Sequence, residues 1–231
     1  MIPYLERELI RQYTCEARVL HEKKTGKPTR YPLNIEDFFY DLFGLEVIYD
    51  TYNFLNKIET GIIGCLFPEG HPSPFGGRDR VIAVNLTPTP EFDPTPFSER
   101  HTIAHEGMGH YVLHHLKGIT GEKSDRPTYC RTKMKKDPLE WQADFAAGEL
   151  TQPLDRVVWL LDGNQPGEII NLDLYEKNYR EFFGANRTMM ETRLSSLGYK
   201  LINARNRWAN YGAGQNGNGE KARVKRFRRH R

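Results

Sequence analysis

The feature that most constrains this chain is a cluster of histidines around residue 105. Five of the eight histidines lie between His101 and His115, and His105 and His110 enclose Glu106 in the pattern H-E-x-x-x-H. In the related H-E-x-x-H pattern of zinc peptidases, two histidines on one helix face bind the metal, and the glutamate acts on the metal-bound water. A chain with this pattern has to present both imidazoles to a common point from one helix.

The second histidine comes one residue later than in H-E-x-x-H. At about 100° per residue, side chains four residues apart on an α-helix differ by about 40°, but side chains five residues apart differ by about 140°. A π-bulge absorbs one extra residue and would return His105 and His110 to one face. Gly107 and Gly109 each cost about 1 kcal/mol relative to Ala inside a helix, and they stand where the helix has to loosen. The sequence therefore predicts a single π-bulge between the two histidines.

Capping signals give the limits of this helix. The hydroxyl of Ser98 can accept a hydrogen bond from a free backbone N–H group, which makes Ser98 the predicted N-cap. Glu99 follows in the first turn, where a negative charge suits the helix dipole. Lys117 and Gly118 are typical of a last turn and a stop. We expect a helix from Glu99 to Lys117.

A second helix offers the third ligand that a site with two histidines needs. Asp137 can cap this helix, and Pro138 suits its first position. Glu140 and Asp144 are four residues apart and therefore share one face. We expect Glu140 to reach the metal, and Asp144 to accept a hydrogen bond from the far nitrogen of one ligand histidine, which fixes its tautomer.

Other interpretations of the histidine run stay open. His101 with His105, and His110 with His114, have the four-residue spacing without a bulge, but no glutamate follows the first histidine of either pair. The run could also be a polar helix face, or a degenerate site that has lost its metal. Spacing does not choose the group that stabilises the oxyanion of a hydrolysis reaction. The candidates for it are His114, His115, Tyr129 and Arg100.

These residues resemble the ImmA/IrrE family of zinc peptidases. With one extra glycine, the family motif R-F-T-x-A-H-E-x-G-H-x-x-L-H has counterparts at Arg100, Thr102, Ala104, His105, Glu106, Gly109, His110, Leu113 and His114. The family's downstream helix motif is similar to the stretch from Glu140 to Pro153, and the likeness extends over about residues 30 to 200. The six-residue H-E-x-x-x-H spacing itself is similar to that of dipeptidyl peptidase III.

The resemblance implies a role for each motif residue. His105, His110 and Glu140 would be the metal ligands, Zn²⁺ the cofactor, and Glu106 the catalytic base. The fold would be a zincin-like metallopeptidase domain of the α+β class, with a small twisted sheet, a helical metal-binding core and C-terminal helices. The substrate would be a protein, of the class of transcriptional repressors.

Hydrophobic periodicity gives the remaining elements. Helices are predicted at residues 4–24, Ile35–Leu42, Leu172–Phe183 and Arg187–Leu197, and strands at Leu45–Tyr49, Ile62–Phe67 and Arg80–Leu86. The strand at Val81–Leu86 is expected beside the site, either as an exposed edge that holds substrate backbone or as a core strand. Gly118–Lys136 is expected to be a loop, either a lid over the cleft or a passive connection.

Composition sets the domain limits and the compartment. We predict a helical extension at residues 1–29, the metallopeptidase domain at 30–210, and a flexible linker with a basic tail at 211–231. The net charge is +3, and Lys221–Arg231 alone carries seven Lys and Arg residues. Such a tail could contact nucleic acid non-specifically, and the helix pair at 172–197 could be a DNA-reading pair. No apolar run has the roughly 20 residues of a membrane span, and three cysteines do not indicate a disulfide framework, which favours the cytoplasm.

The function predicted from the sequence is that of a cytoplasmic, zinc-dependent endopeptidase acting on a regulatory protein. The alternative is a catalytically inactive regulatory protein of the same fold that binds a partner protein or DNA. The extra residue in H-E-x-x-x-H is the reason for keeping that alternative. Cys130 lies in a polar stretch and is expected to be an ordinary free cysteine; the alternative is an additional metal ligand or a reactive thiol.

Overall fold

A computed structural model describes residues 5–58, 61–87, 95–118, 127–131 and 137–203, and it has a mixed α+β architecture. The α-helices are α1 (Arg7–Thr25), α2 (Ile35–Phe43), α3 (Phe54–Ile58), α4 (Pro96–Ala104), α5 (Pro138–Thr151), α6 (Leu154–Leu160), α7 (Leu172–Phe183) and α8 (Arg187–Leu197). A π-helix (His105–Leu116) continues directly from α4. The strands are β1 (Glu46–Asp50), β2 (Ile62–Phe67), β3 (Val81–Asn85), β4 (Thr128–Arg131), β5 (Ile169–Asn171) and β6 (Lys200–Ile202).

Four of the strands form one sheet in the order β1-β3-β2-β4, and β5 pairs with β6 in a separate two-stranded sheet. In the larger sheet β1 runs parallel to β3, while β2 is antiparallel to both β3 and β4. All five residues of β3 are buried. The expectation that Val81–Leu86 presents an exposed edge is therefore wrong, because β3 is paired on both sides.

The edge of the sheet nearest the histidines is β4. Its residues pair with β2, and Tyr129 lies opposite Cys65. The expectation of a loop throughout Gly118–Lys136 is wrong for this stretch, because these residues form a strand with backbone hydrogen bonds. The rest of that predicted loop, residues 119–126 and 132–136, lies outside the described residues.

The ends of α2, α7 and α8 follow capping signals in the local sequence. The side chain of Asn34 accepts a hydrogen bond from the backbone N–H of Asp37 at the start of α2, and Gly44 ends that helix at φ 65°. Asn186 caps α8 in the same way through Met189 N–H. A residue in the left-handed region is usually glycine because it has no Cβ to clash. The predicted limits of α7 and α8 are confirmed to the residue.

The main hydrophobic core brings together α1, α2, α4, the π-helix, α5 and the inner face of the sheet. Phe38, Phe39 and Met108 are fully buried in it, and Ile10 anchors α1 to the same core. A second cluster joins α6, α7 and α8 around Tyr179. The histidine-bearing helix is thus held from several sides, which fixes where its side chains point.

Three predictions about the chain's organisation stay predictions. The limits at residues 29 and 210 are not tested as domain boundaries, and the linker and basic tail lie outside the described residues. The DNA-reading role of α7 and α8 is likewise untested. Among the described residues, no helix has both the length and the apolar character needed to cross a membrane.

Candidate metal centre

The helix that carries the histidines begins one turn earlier than predicted. Thr95 is the N-cap: its hydroxyl accepts a hydrogen bond from Ser98 N–H, while the Ser98 hydroxyl accepts one from Thr95 N–H. Pro96 occupies the first helical position, where its missing N–H costs nothing. Ser98 is therefore the third residue of the helix in a reciprocal capping arrangement, and its predicted role as N-cap is wrong.

The predicted π-bulge extends over the whole second half of this helix. All twelve residues from His105 to Leu116 are in the π conformation. Because hydrogen bonds in a π-helix join residues five apart, a side chain at position i+5 lies above that at position i. The spacing of five between His105 and His110 is thus matched by the helix itself, and the expectation of a single bulge was too local.

Gly107 has a packing role as well as a conformational one. A Cβ atom on this residue would lie 2.4–2.6 Å from the ring of Phe39, closer than carbon atoms can approach. The π-helix therefore packs against α2 through bare backbone. This contact fixes the depth at which the neighbouring histidines lie in the protein.

His105, His110 and Glu140 converge on one point. Their donor atoms are close together: His105 Nε2 lies 3.1 Å from His110 Nε2 and 3.2 Å from Glu140 Oε2, and His110 Nε2 lies 3.4 Å from Glu140 Oε1. Both imidazoles are buried. Burial alone would raise the pKa of Glu140, but the adjacent imidazoles of His105 and His110 outweigh it and lower the pKa to about 2. These three residues could hold a metal ion.

The donor separations suit a tetrahedral cation. Ligand atoms about 2.0–2.1 Å from a tetrahedrally coordinated ion are about 3.3 Å from one another, and the three separations of 3.1, 3.2 and 3.4 Å lie around that value. Two imidazole nitrogens facing each other at 3.1 Å share at most one proton, so a cation satisfies the pair better. The residues present therefore fit a divalent metal.

The structure places Asp144 behind His105. Asp144 Oδ1 lies 2.8 Å from His105 Nδ1 and 3.5 Å from His101 Nε2. Burial would raise the pKa of Asp144, but hydrogen bonds from His101 and His105 lower it below its usual value. An ionised Asp144 accepts the proton of His105 Nδ1 and so leaves the lone pair on Nε2, the atom that faces Glu140.

His101, His105 and Asp144 form a second group with metal-ligand spacing. It corresponds to one of the pairs left open by the sequence. The 2.8 Å between His105 Nδ1 and Asp144 Oδ1 is a direct hydrogen-bond distance, shorter than the separation of two ligands on a tetrahedral ion. This distance suits a group that orients His105, whereas the separations among His105, His110 and Glu140 suit a group that could hold a metal.

His114 lies on the far side of His110. Its Nδ1 is 3.1 Å from His110 Nδ1, and its Nε2 is 3.3 Å from Gln142 Oε1. Burial, together with the nearby His110, lowers the pKa of His114 to about 3, so its ring is neutral at ordinary pH. Both ring nitrogens are occupied, and the interpretation of His114 as an oxyanion-stabilising group is wrong.

Glu106 is fully buried beside His105 and His110. Its Oε2 accepts a hydrogen bond from the Thr128 hydroxyl of β4 at 3.1 Å, while Oε1 has no hydrogen-bond partner among the described residues. Burial raises the pKa of Glu106, against the opposing effect of His110 and His105. The contact between Thr128 and Glu106 was not predicted from the sequence. No local pattern around Thr128 indicates a strand that lies next to the π-helix.

No protein-family model and no curated protein matches this chain. The likeness to ImmA/IrrE peptidases thus rests on sequence motifs alone. The grouping of side chains that could hold a metal, in contrast, rests on the distances between them.

Two more candidates for oxyanion stabilisation are placed elsewhere. Arg100 donates hydrogen bonds to the backbone carbonyls of Phe183 and Gly184, 3.0 and 3.4 Å away, at the C-terminus of α7. His115 stacks on Tyr111 with ring centroids 5.4 Å apart. Their predicted oxyanion role does not fit these contacts. The side chain of the remaining candidate, Tyr129, lies outside the described part of the chain.

The cysteines add nothing to the site as described. Cys15 is exposed and Cys65 is buried, and both are free. Burial raises the pKa of the Cys65 thiol, which keeps it protonated and a poor metal ligand. The side chain of Cys130 is not among those that the structure describes, so its predicted role is untested.

Proposed function

We propose that this protein is a zinc-dependent endopeptidase of the zincin type. The observation that carries the proposal is the position of Glu106. Its carboxylate is buried next to His105 and His110, and Oε1 has no hydrogen-bond partner among the described residues. An unpaired buried carboxylate oxygen is costly, and a catalytic base beside a metal-bound water is a reason to keep one.

Zinc suits the ligand set. Two imidazole nitrogens and one carboxylate are a known catalytic zinc combination, in which a fourth position is left for water or substrate. When bound, zinc supplies an acidified water molecule and polarises the carbonyl of the bond to be cleaved. The protein's part is to hold the three donors at the separations described for His105, His110 and Glu140.

Glu106 would move the proton. Its raised pKa, caused mainly by burial, brings the carboxyl closer to the range in which it can both accept and return a proton near neutral pH. Thr128 holds Oε2, so Oε1 is the oxygen left to take a proton from water and deliver it to the leaving nitrogen. One carboxylate thus serves as base and then as acid.

The substrate backbone would lie along β4. Among the described residues β4 pairs only with β2, and an extended peptide would add to its other edge as a further strand. Thr128 belongs to this strand and also contacts Glu106, which places the edge next to the base. The β4 edge takes the place of the Val81–Leu86 edge, which was one of the two alternatives that the sequence left open.

The identity of the substrate is proposed from the resemblance to the ImmA/IrrE family. On that basis the substrate is a regulatory protein of the transcriptional-repressor class, cleaved in the cytoplasm. An extended internal segment of a protein chain along the β4 edge, rather than a free terminus, would make the enzyme an endopeptidase.

The proposal is tested with zinc-loaded wild type and Glu106→Gln, incubated with an unfolded protein and with purified candidate repressors. Gln cannot accept the proton, so cleavage should fall by about 10²–10⁴-fold, while zinc remains near one per chain in both proteins. Glu69→Gln, which changes an exposed glutamate, is the matched control and should cleave at the wild-type rate. Equal cleavage by both proteins, or a wild type that binds zinc and cleaves nothing, would contradict the proposal; the second result favours the inactive regulator.

A further inference from the structure

The two proposed ligand histidines are held by different kinds of partner. His105 Nδ1 faces the carboxylate of Asp144 at 2.8 Å. His110 Nδ1 instead faces another imidazole, His114 Nδ1, at 3.1 Å. His114 and Gln142 are both buried, so this second chain of contacts lies inside the protein, between the π-helix and α5.

Along the contacts from His110 through His114 to Gln142, the hydrogen atoms can be arranged in only one way that leaves His110 Nε2 free for a metal. A metal takes the lone pair on Nε2, so the proton of His110 is on Nδ1 and is donated. His114 Nδ1 then accepts, which leaves the proton of His114 on Nε2. That proton is donated to Gln142 Oε1, 3.3 Å away, and an amide oxygen is an acceptor only. Every contact has one donor and one acceptor.

The reverse arrangement is incompatible with a metal. If Gln142 offered its NH₂ group, His114 Nε2 would accept and its Nδ1 would carry the proton. His110 Nδ1 would then have to accept, and its proton would move to Nε2, where it blocks the metal. The orientation of the Gln142 amide therefore decides which nitrogen of His110 is free, although Gln142 lies two side chains away from the ion.

We propose that His114 and Gln142 form a positioning relay that fixes the tautomer and the ring orientation of His110. The inference rests on the proposed metal centre and adds to it two residues that touch neither metal nor substrate. Unlike Asp144, the relay carries no charge, so it orients His110 without raising its basicity as a carboxylate does. In this proposal, His105 is oriented by a charged group, Asp144, and His110 is oriented by the neutral relay.

The test measures zinc affinity by competition with a chromophoric chelator, without any hydrolysis assay. His114→Leu removes the acceptor for His110 Nδ1, and zinc affinity should fall by about 10–100-fold, as is usual for the loss of a group that orients a ligand. His115→Leu, a change at the neighbouring histidine that stacks on Tyr111, is the matched control and should leave zinc affinity unchanged.

Variants at Gln142 separate positioning from packing. Gln142→Leu fills the same space without an acceptor and should weaken zinc binding, whereas Gln142→Glu keeps an acceptor oxygen and should bind zinc at least as tightly as wild type. Cobalt(II) absorption spectra report the ligand geometry, and thermal unfolding of the zinc-free proteins shows that each variant folds. A role in packing alone predicts equal losses for Gln142→Leu and Gln142→Glu, and that result would overturn the relay.

The failure of the relay can be told from the failure of the proposed function. If wild type binds zinc and His114→Leu and Gln142→Leu bind it equally well, the relay is wrong and the peptidase proposal is untouched. If the relay variants lose zinc as expected but wild type cleaves no protein, the peptidase proposal fails and the relay stands. If wild type binds no zinc, the relay is overturned together with the metal centre on which it rests.

Discussion

Gly109 of the π-helix lies in direct backbone contact with Ala143 of α5. A Cβ atom on residue 109 would be 2.3 Å from Ala143 Cβ and 2.4 Å from its Cα, distances at which one of the helices has to move. Ala143 lies between Glu140 and Asp144 on α5. This contact therefore sets how closely the two carboxylates of α5 approach the histidines of the π-helix.

Gly109→Ala should destabilise the protein and weaken its metal binding. In an unconstrained helix this change stabilises by about 1 kcal/mol, but here the added methyl overpacks a close helix contact, which typically costs about 1–3 kcal/mol. The free energy of unfolding, measured by urea denaturation of the zinc-free protein, should fall. Zinc affinity should fall too, because the added methyl pushes α5 away from the π-helix and so moves Glu140 away from His105 and His110. If Gly109→Ala is more stable than wild type and binds zinc as tightly, the contact between Gly109 and Ala143 does not set the distance between α5 and the π-helix.

The sequence predicted which side chains meet at the site better than it predicted the shape of the helix that carries them. Residue identity and spacing were enough to bring together His105, His110 and Glu140, because ligand types and helix periodicity are local properties. The length of the π-helix was not predictable from Gly107 and Gly109, since it depends on how α2 and α5 pack against bare backbone. Local sequence patterns identify the candidate ligand side chains, whereas tertiary packing determines the length of the π-helix that carries the histidines.

The neighbourhood of Glu106 shows the same limit. The pairing of β4 with β2 joins residues more than sixty positions apart, and no local pattern in Thr128–Arg131 identifies it. Without that strand, the hydroxyl of Thr128 next to Glu106 could not be foreseen. Arg100 stayed among the four oxyanion candidates for a similar reason: its partners, at the end of α7, lie more than eighty residues further along the chain.

Asp144→Asn should reduce zinc affinity by about 10–100-fold. The carboxylate of Asp144 accepts the proton of His105 Nδ1 at 2.8 Å, whereas an amide accepts more weakly and can also present its NH₂ group to the ring. Competition with a chromophoric chelator measures the affinity. Asp155→Asn changes an acidic residue whose side chain is 59% exposed and serves as the control. Unchanged affinity in Asp144→Asn would mean that this hydrogen bond does not set the tautomer of His105.

Arg100→Ala should lower stability and leave the chemistry of the site alone. Arg100 donates two charge-assisted hydrogen bonds to the carbonyls that end α7, and hydrogen bonds of this kind contribute about 1.5–3 kcal/mol. Urea denaturation should show a loss of that order, while the cleavage rate per folded, zinc-loaded molecule stays at the wild-type value. Arg156→Ala is the control, because the Arg156 side chain is 52% exposed and should matter little. A lower cleavage rate with unchanged stability would instead return Arg100 to the oxyanion role.

Glu106→Gln should make the zinc-free protein more stable at pH 7.5 but not at pH 4. In the folded state burial raises the pKa of Glu106 above its ordinary value of 4.5. Below that value the carboxyl is protonated in both the folded and the unfolded state, and ionisation costs the fold nothing. As the pH rises, the unfolded chain ionises first, so the folded state loses stability until the pH passes its own, higher pKa. Gln does not titrate, and the variant lacks this loss.

The measurement is urea denaturation of chelator-treated wild type and Glu106→Gln at several pH values between 4 and 7.5. The difference in unfolding free energy should be near zero at the lowest pH and should grow in favour of the variant as the pH rises. Glu69→Gln, at an exposed position, should follow wild type throughout. If wild type and Glu106→Gln show parallel pH profiles, the carboxylate of Glu106 is not held at a cost in the folded state. The proposal treats the unpaired oxygen of Glu106 as that of a catalytic base because a carboxylate that destabilises the fold calls for a functional explanation. If ionised Glu106 does not destabilise the fold, that reason is lost.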